Sequence, residues 1–109
     1  GEGLGRALAA RFAQGGYDLA LISRSKAGSA AASAAAKAAN GQIQVSYQSA
    51  DANDPETIRA ALDMVGPVDV LIYNVRDRFA RRSPLDIDLP DLEAAFRLEV
   101  VSALAAATI

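Results

Sequence analysis

The sequence contains no cysteine, no histidine and no tryptophan. Without cysteine there is no disulfide, no thiolate nucleophile and no cysteine-ligated zinc. Without histidine, these residues cannot build a Ser-His-Asp triad, an imidazole base or a histidine metal site. No apolar run approaches the roughly 18 residues of a membrane span, and the N-terminus does not read as a signal peptide. Aromatic residues are scarce, three Phe and three Tyr, and the net charge is −2. Such a chain makes a poor nucleic-acid binder. No metal, membrane or nucleic-acid partner is therefore expected, and a reducing, cytoplasmic setting is. The first residue is Gly rather than Met, so the natural start is expected to lie elsewhere.

Alanine is what the chain has in excess: 25 of 109 residues. A sequence rich in methyl groups packs helices closely but buries little area, and is expected to need more protein around it. Periodicity divides it cleanly. Leu4, Leu8 and Phe12 recur every four residues in a helix that opens from Gly3-Leu4-Gly5 and stops at Gly15-Gly16. Residues 17–23 (YDLALIS) form a nearly continuous apolar run, expected to be a strand buried on both faces. Residues 26–40 are an alanine-rich helix stopped by Asn40-Gly41. Residues 43–49 (IQVSYQS) alternate as a strand does, and Asp54-Pro55-Glu56 opens a helix with Ile58, Leu62 and Val65 on its inner side. Residues 68–73 (VDVLIY) read as a further buried strand. After a polar loop, Pro90 opens a last helix with the apolar stripe Leu92, Phe96, Val100 and Leu104. Helices alternating with strands predict an α/β fold: a partial doubly wound parallel sheet with crossover helices, in a single domain over residues 1–109.

Ligands of such sheets bind beyond the carboxyl ends of the strands. The Gly3-Leu4-Gly5 turn at a helix start exposes backbone N–H groups suited to a phosphate, and a side chain at Gly3 or Gly5 would hold that phosphate away. An NAD-binding unit places an acid about 20 residues further on, to grip the ribose hydroxyls. Here the stretch is Ser23-Arg24-Ser25-Lys26, with no carboxylate. Arg24 and Lys26, with the serines, could hold the 2′-phosphate of NADP instead, which makes NADP (NADPH) the expected cofactor and NAD the lesser one. Glu2 opposes this, since it places a carboxylate beside the glycines. Four arginines, Arg76, Arg78, Arg81 and Arg82, crowd the loop at the same edge. They read either as an anion site or as a solvated loop. The acidic stretch Asp86, Asp88, Asp91, Glu93 reads as charge at a helix N-terminus rather than a metal site.

Taken in order, Gly1-x-Gly3-Leu4-Gly5-Arg6-Ala7-Leu8-Ala9, Ser23-Arg24, Asp51 and the run 68–74 ending in Asn74 resemble the short-chain dehydrogenase/reductase family. The resemblance implies a partial Rossmann domain whose first strand and C-terminal half lie outside residues 1–109. Gly3 and Gly5 match the last two glycines of the family's Gly-x-x-x-Gly-x-Gly loop, and Asp51 matches the acid that holds the adenine amine. Cofactor contacts are thereby expected from Gly3, Leu4, Gly5, Ser23, Arg24, Asp51, Ala52, Asn74 and Val75. The family's Asn-Asn-Ala-Gly appears as Tyr73-Asn74-Val75-Arg76, which alters the wall beside the cofactor. Glu99 stands where the family carries a catalytic Asn. The remaining catalytic residues, a Ser and a Tyr-x-x-x-Lys, are expected beyond Ile109. No displaced Tyr-x-x-x-Lys occurs in the sequence: Leu21, Asp51 and Asp77 stand four residues after Tyr17, Tyr47 and Tyr73.

The resemblance implies an oxidoreductase that moves hydride between the nicotinamide of NADP and a small carbonyl or alcohol substrate, assembled as a homodimer or homotetramer through the helix from Pro90. A non-catalytic dinucleotide sensor or scaffold on the same fold is the alternative, supported by Glu99, Val75 and Arg76. A methyltransferase fits less well, because it wants an acid where Arg24 stands. Residues 1–109 by themselves are expected to reduce no carbonyl, since they hold no proton donor of the required kind. NADPH oxidation by this stretch as a purified polypeptide is the measurement, and detectable turnover contradicts the reading.

Overall fold

The computed structural model describes residues 3–75, 84–86 and 88–109. The arginine-rich loop, Glu2 and the segment before Pro84 lie outside the described residues. The order of elements is α1 (Leu4–Gln14), β1 (Leu19–Ser23), α2 (Ala30–Ala39), β2 (Val45–Ser49), α3 (Pro55–Val65), α4 (Leu89–Phe96) and α5 (Ser102–Thr108). Short 3₁₀ turns precede α2 and α4, and a π turn, Arg97–Val101, joins α4 to α5. β1 and β2 pair in parallel, from Leu19 opposite Val45 to Ser23 opposite Ser49. A parallel pair requires a crossover, and α2 supplies it.

The end of α1 shows how local chemistry sets the path. Gly16 takes φ +85°, a conformation that glycine adopts without steric cost. The Gly16 N–H then donates to the Ala13 carbonyl at 3.0 Å, and the Tyr17 N–H to the Phe12 carbonyl at 3.2 Å. This is the two-bond Schellman stop, and the apolar contact that accompanies it is Phe12 against Tyr17, edge to face with ring centroids 5.2 Å apart. Asn40 closes α2 in a different way. Its side-chain amide donates to the Ala13 carbonyl at 2.9 Å, while its Oδ1 accepts from the Gln42 N–H at 2.9 Å. The ends of α1 and α2 are thus tied together just before their chains turn into the strands. α3 starts where Asp54 accepts from the Glu56 N–H at 3.2 Å, with Pro55 in the first turn.

Between α1 and α2 the core is made of alanine: Ala9, Ala13 and Ala36, with Leu19, Ile43 and Val45 of the strand side packed against it. Ala13 and Ala36 are wholly buried. The helix therefore turns its Ala9–Ala13 line inward, leaving Leu4 exposed and Leu8 and Phe12 only half-buried. α1 packs on α2 and α3 on α5, the two helix pairs that a doubly wound sheet requires.

Two expectations are corrected. Residues 68–73 make no ladder among the described residues, and Val68, Val70, Leu71 and Ile72 are exposed. In the doubly wound order 3-2-1-4, such a segment pairs with a strand leading into the glycine turn, and no strand of the described residues lies there. β1 is likewise half-buried rather than buried on both faces, since the sheet is two strands wide among the described residues. In the last helix the stripe Leu92, Phe96, Val100 and Leu104 faces outward, and the small residues Ala95, Ser102 and Ala106 are buried. Alanine and serine let α5 approach α3 closely, where leucine would hold it off.

The alanine contact gives a stability test. Ala13→Leu forces the volume of an isopropyl group into a site with no room, and is expected to cost about 1–3 kcal/mol. Urea unfolding of the intact protein and its variant measures the difference.

Candidate functional site

The site begins at the N-terminus of α1. Gly3 stands at the cap with no side-chain acceptor for the first N–H groups, and the first turn carries no acid. α3 differs, since Asp54 caps it and Glu56 lies in its first turn. α1 thus presents backbone donors and the positive end of a helix dipole with nothing from its own first turn to neutralise them. A Cβ at Gly3 would meet nothing within 4 Å, and one at Gly5 would come to 3.4 Å from the Asn74 amide nitrogen. The glycine turn and Asn74 are therefore neighbours, although about 70 residues separate them in sequence.

A second cluster forms at the carboxyl ends of the two strands. The Ser23 hydroxyl lies 2.5 Å from the Ser25 carbonyl, 2.8 Å from the Ser29 hydroxyl and 3.4 Å from the Tyr47 hydroxyl. The Tyr47 hydroxyl donates to the Ser23 carbonyl at 2.9 Å. The Ser25 oxygen accepts from the Gly28 N–H at 3.3 Å. Ser49 donates to the Arg24 carbonyl at 3.0 Å, fixing the backbone of Arg24 while its side chain stays exposed. Ser23 thus serves mainly to hold the loop, and Arg24 and Lys26 are the cations it offers to solvent.

The third cluster anchors Asp51. Its N–H donates to Thr57 Oγ1 at 2.9 Å, and the Thr57 hydroxyl lies 2.9 and 2.8 Å from the carbonyls of Asp51 and Asp54. Asp51 Oδ1 accepts from the Asn53 N–H at 2.9 Å. Ala52, next to it, is half-buried, as is Val75 beside Asn74. The Ala50 N–H donates to the Ser23 carbonyl at 3.1 Å, which joins this cluster to the second.

Tyr73, at the end of the unpaired segment, reaches the last helix. Its hydroxyl donates to the Leu98 carbonyl within the π turn, and the Ser102 side chain lies near enough to influence it. Burial holds the phenol above its ordinary value of 10.0; the nearby Glu99 charge pushes the same way, and the Ser102 hydrogen bond opposes both. Sequence reasoning picked out Glu99 but not Tyr73, Ser102, Tyr47 or Thr57 as partners. Tyr47 and Ser49 share one face of a strand, a period-two pattern that could have marked them. Nothing in residues 97–101 announces a π turn. A hollow lined by Arg11, Phe12, Gly15 and Tyr17 lies at the opposite end of α1, roughly 16 Å from the glycine turn. Among the described residues no group of acids could hold a metal ion, and no helix is long and apolar enough to cross a membrane.

The family described as short chain dehydrogenase matches residues 1–108. No curated protein matches the chain. Among solved structures, a Burkholderia xenovorans protein assigned to the short-chain dehydrogenases/reductases is similar, with TM-score 0.80 and 26% identity over 94% of this chain and 44% of its own. YwfH, an NADPH dependent reductase involved in bacilysin biosynthesis, shares the fold with TM-score 0.75 and 21% identity, over 99% of this chain and 43% of its own. The chain therefore spans less than half the length of either.

A pH test follows from Tyr73. Because the fold favours the neutral phenol, Tyr73 contributes stability that is fully present below the unfolded value near 10 and is lost as pH rises through the higher folded one. Relative to Tyr73→Phe, the parent is expected to lose stability on going above pH ~10. Denaturant midpoints of both proteins across that range measure it, and parallel curves contradict it.

Proposed function

The chain belongs to the short-chain dehydrogenase family, and from that premise we propose that it is the dinucleotide-binding part of an NADP-dependent oxidoreductase acting on a small carbonyl or alcohol. The observation that carries this reading is the uncapped start of α1, with Gly5 set against Asn74. A helix end with unpaired N–H groups, no acid in its first turn and open space over Gly3 suits a pyrophosphate. Leu4 and Gly5 would donate to it, and the absence of side chains at Gly3 and Gly5 lets it approach. Arg24 would grip the 2′-phosphate through two parallel hydrogen bonds, its backbone held by Ser49. Asp51 and Ala52, anchored by Thr57, would meet the adenine. Asn74 and Val75 would line the cofactor's other side.

When bound, the dinucleotide supplies a hydride at its nicotinamide. Family resemblance assigns the proton chemistry to a Ser and a Tyr-x-x-x-Lys, and residues 1–109 contain no Tyr-x-x-x-Lys. YwfH, similar in fold, is NADPH dependent, which supports the same cofactor. Outward-facing Leu92, Phe96, Val100 and Leu104 support a homodimer or homotetramer, and a cytoplasmic location is in keeping with the composition. A sensor without turnover is the second reading. Glu99, Val75 and Arg76, which depart from the family's pattern, favour it, and a Tyr-x-x-x-Lys elsewhere in the intact protein would argue against it.

The cofactor test centres on Arg24. A charge-assisted pair of hydrogen bonds is worth about 1.5–3 kcal/mol, which converts to a preference of roughly ten- to a hundred-fold. With Glu2 opposing, the intact protein is expected to favour NADPH over NADH by about tenfold, and Arg24→Ala to bring the two affinities within about twofold. Calorimetric titration with both cofactors measures the ratio. Equal affinities in the parent, or an unchanged ratio in the variant, contradict the assignment.

A further inference from the structure

We propose that Tyr73 is a positioning residue: by donating to the Leu98 carbonyl it fixes the π turn Arg97–Val101 and, through that turn, the place of Glu99. For the functional consequence this rests on the oxidoreductase reading above. In a regular helix the Leu98 carbonyl would be saturated by the N–H four residues on. Here the ladder slips by one residue, and the Ser102 N–H donates to the Arg97 carbonyl five residues back. A single wide turn of this kind costs backbone geometry and persists only where something outside the helix satisfies it. The Tyr73 hydroxyl is that outside group. Ser102, buried in the next turn, has its side chain beside the same phenol.

The placement explains why a tyrosine stands here. Tyr73 immediately precedes Asn74, which lies against Gly5. One dipeptide therefore touches the glycine turn through Asn74 and the π turn through Tyr73. Glu99 sits in that π turn, close enough to the phenol for its charge to be felt there. A phenylalanine would fill the same space but leave the Leu98 carbonyl without the phenol that donates to it. The turn would then relax toward a regular helix. Each residue after it would rotate by about 100° relative to α4, since a residue is removed from the π register.

The test compares Tyr73→Phe, Ser102→Ala, Glu99→Gln and the Tyr73→Phe/Glu99→Gln pair in the intact protein. The first readout is amide exchange. In Tyr73→Phe the amides of Ser102 and Ala103 are expected to exchange on the order of tenfold faster, with those of α1 unchanged. A change below about threefold overturns the clamp whatever the activity. Ser102→Ala, which leaves the Leu98 bond in place, is expected to give a smaller acceleration of the same amides, and an acceleration equal to that of Tyr73→Phe also overturns it. The second readout is steady-state kinetics. Tyr73→Phe is expected to lower kcat about tenfold while the KM for dinucleotide stays within about twofold, and the double variant to be no slower than Glu99→Gln alone. Multiplying losses, or a loss confined to KM, overturn the route through Glu99. If the intact parent oxidises no NADPH or NADH with any carbonyl offered, the oxidoreductase reading fails, and the proposal stands or falls on the exchange readout.

Discussion

The closeness of α1 and α2 is the constraint on which the candidate site depends. Each of these helices begins at a loop of the candidate site, α1 at the glycine turn and α2 after the Arg24 loop. Their separation therefore sets how far apart the open N–H groups of α1 and the exposed Arg24 stand. Ala9, Ala13 and Ala36 bring the helices as near as side chains other than glycine allow, and Asn40 pins their far ends through the Ala13 carbonyl. Alanine contributes little hydrophobic energy per residue. What it supplies is spacing. The same economy recurs at α5, where Ser102 and Ala106 are buried and the large residues face away.

Around that spacing the loops are held by hydroxyl groups. Ser23, Ser29 and Tyr47 fix the end of β1, Ser49 holds the Arg24 backbone, and Thr57 anchors Asp51 to the start of α3. Neutral hydroxyls can give and take hydrogen bonds in one crowded place without the desolvation cost of charged pairs. They leave Arg24 as an exposed cation on a fixed backbone, which is how a side chain can meet a phosphate without much entropy lost on binding.

What the sequence made legible follows from how local each feature is. α1 and α3 were readable because glycines, a proline and an aspartate act within a few residues of themselves, and the Phe12–Tyr17 contact spans only five. The positions of the glycine turn at the start of α1, of Arg24 after β1 and of Asp51 after β2 were readable because they follow from those elements. The strand at 68–73 was misjudged for the opposite reason: its composition suits a buried strand, but a strand exists only through its neighbour, and neighbours are not written in a local window. In the last helix, the large side chains drew attention to the outward face, whereas close approach to α3 selects small ones. The π turn and the reach of Tyr73 to Leu98 were invisible, because a slipped ladder depends on a partner 25 residues away.

The exposed run at residues 68–73 has a consequence for how the chain must be made. VDVLIY joins high β-propensity to a single charge and no proline or glycine, the composition of segments that stack into cross-β assemblies when left uncovered. Until a neighbouring strand closes over both of its edges, its hydrogen-bonding groups are as available to another copy of itself as to the native sheet. Synthesis proceeds from the N-terminus, and this segment emerges before the helix that Tyr73 grips. Through its bond to Leu98, Tyr73 ties one end of this exposed run to the last helical stretch of its own molecule.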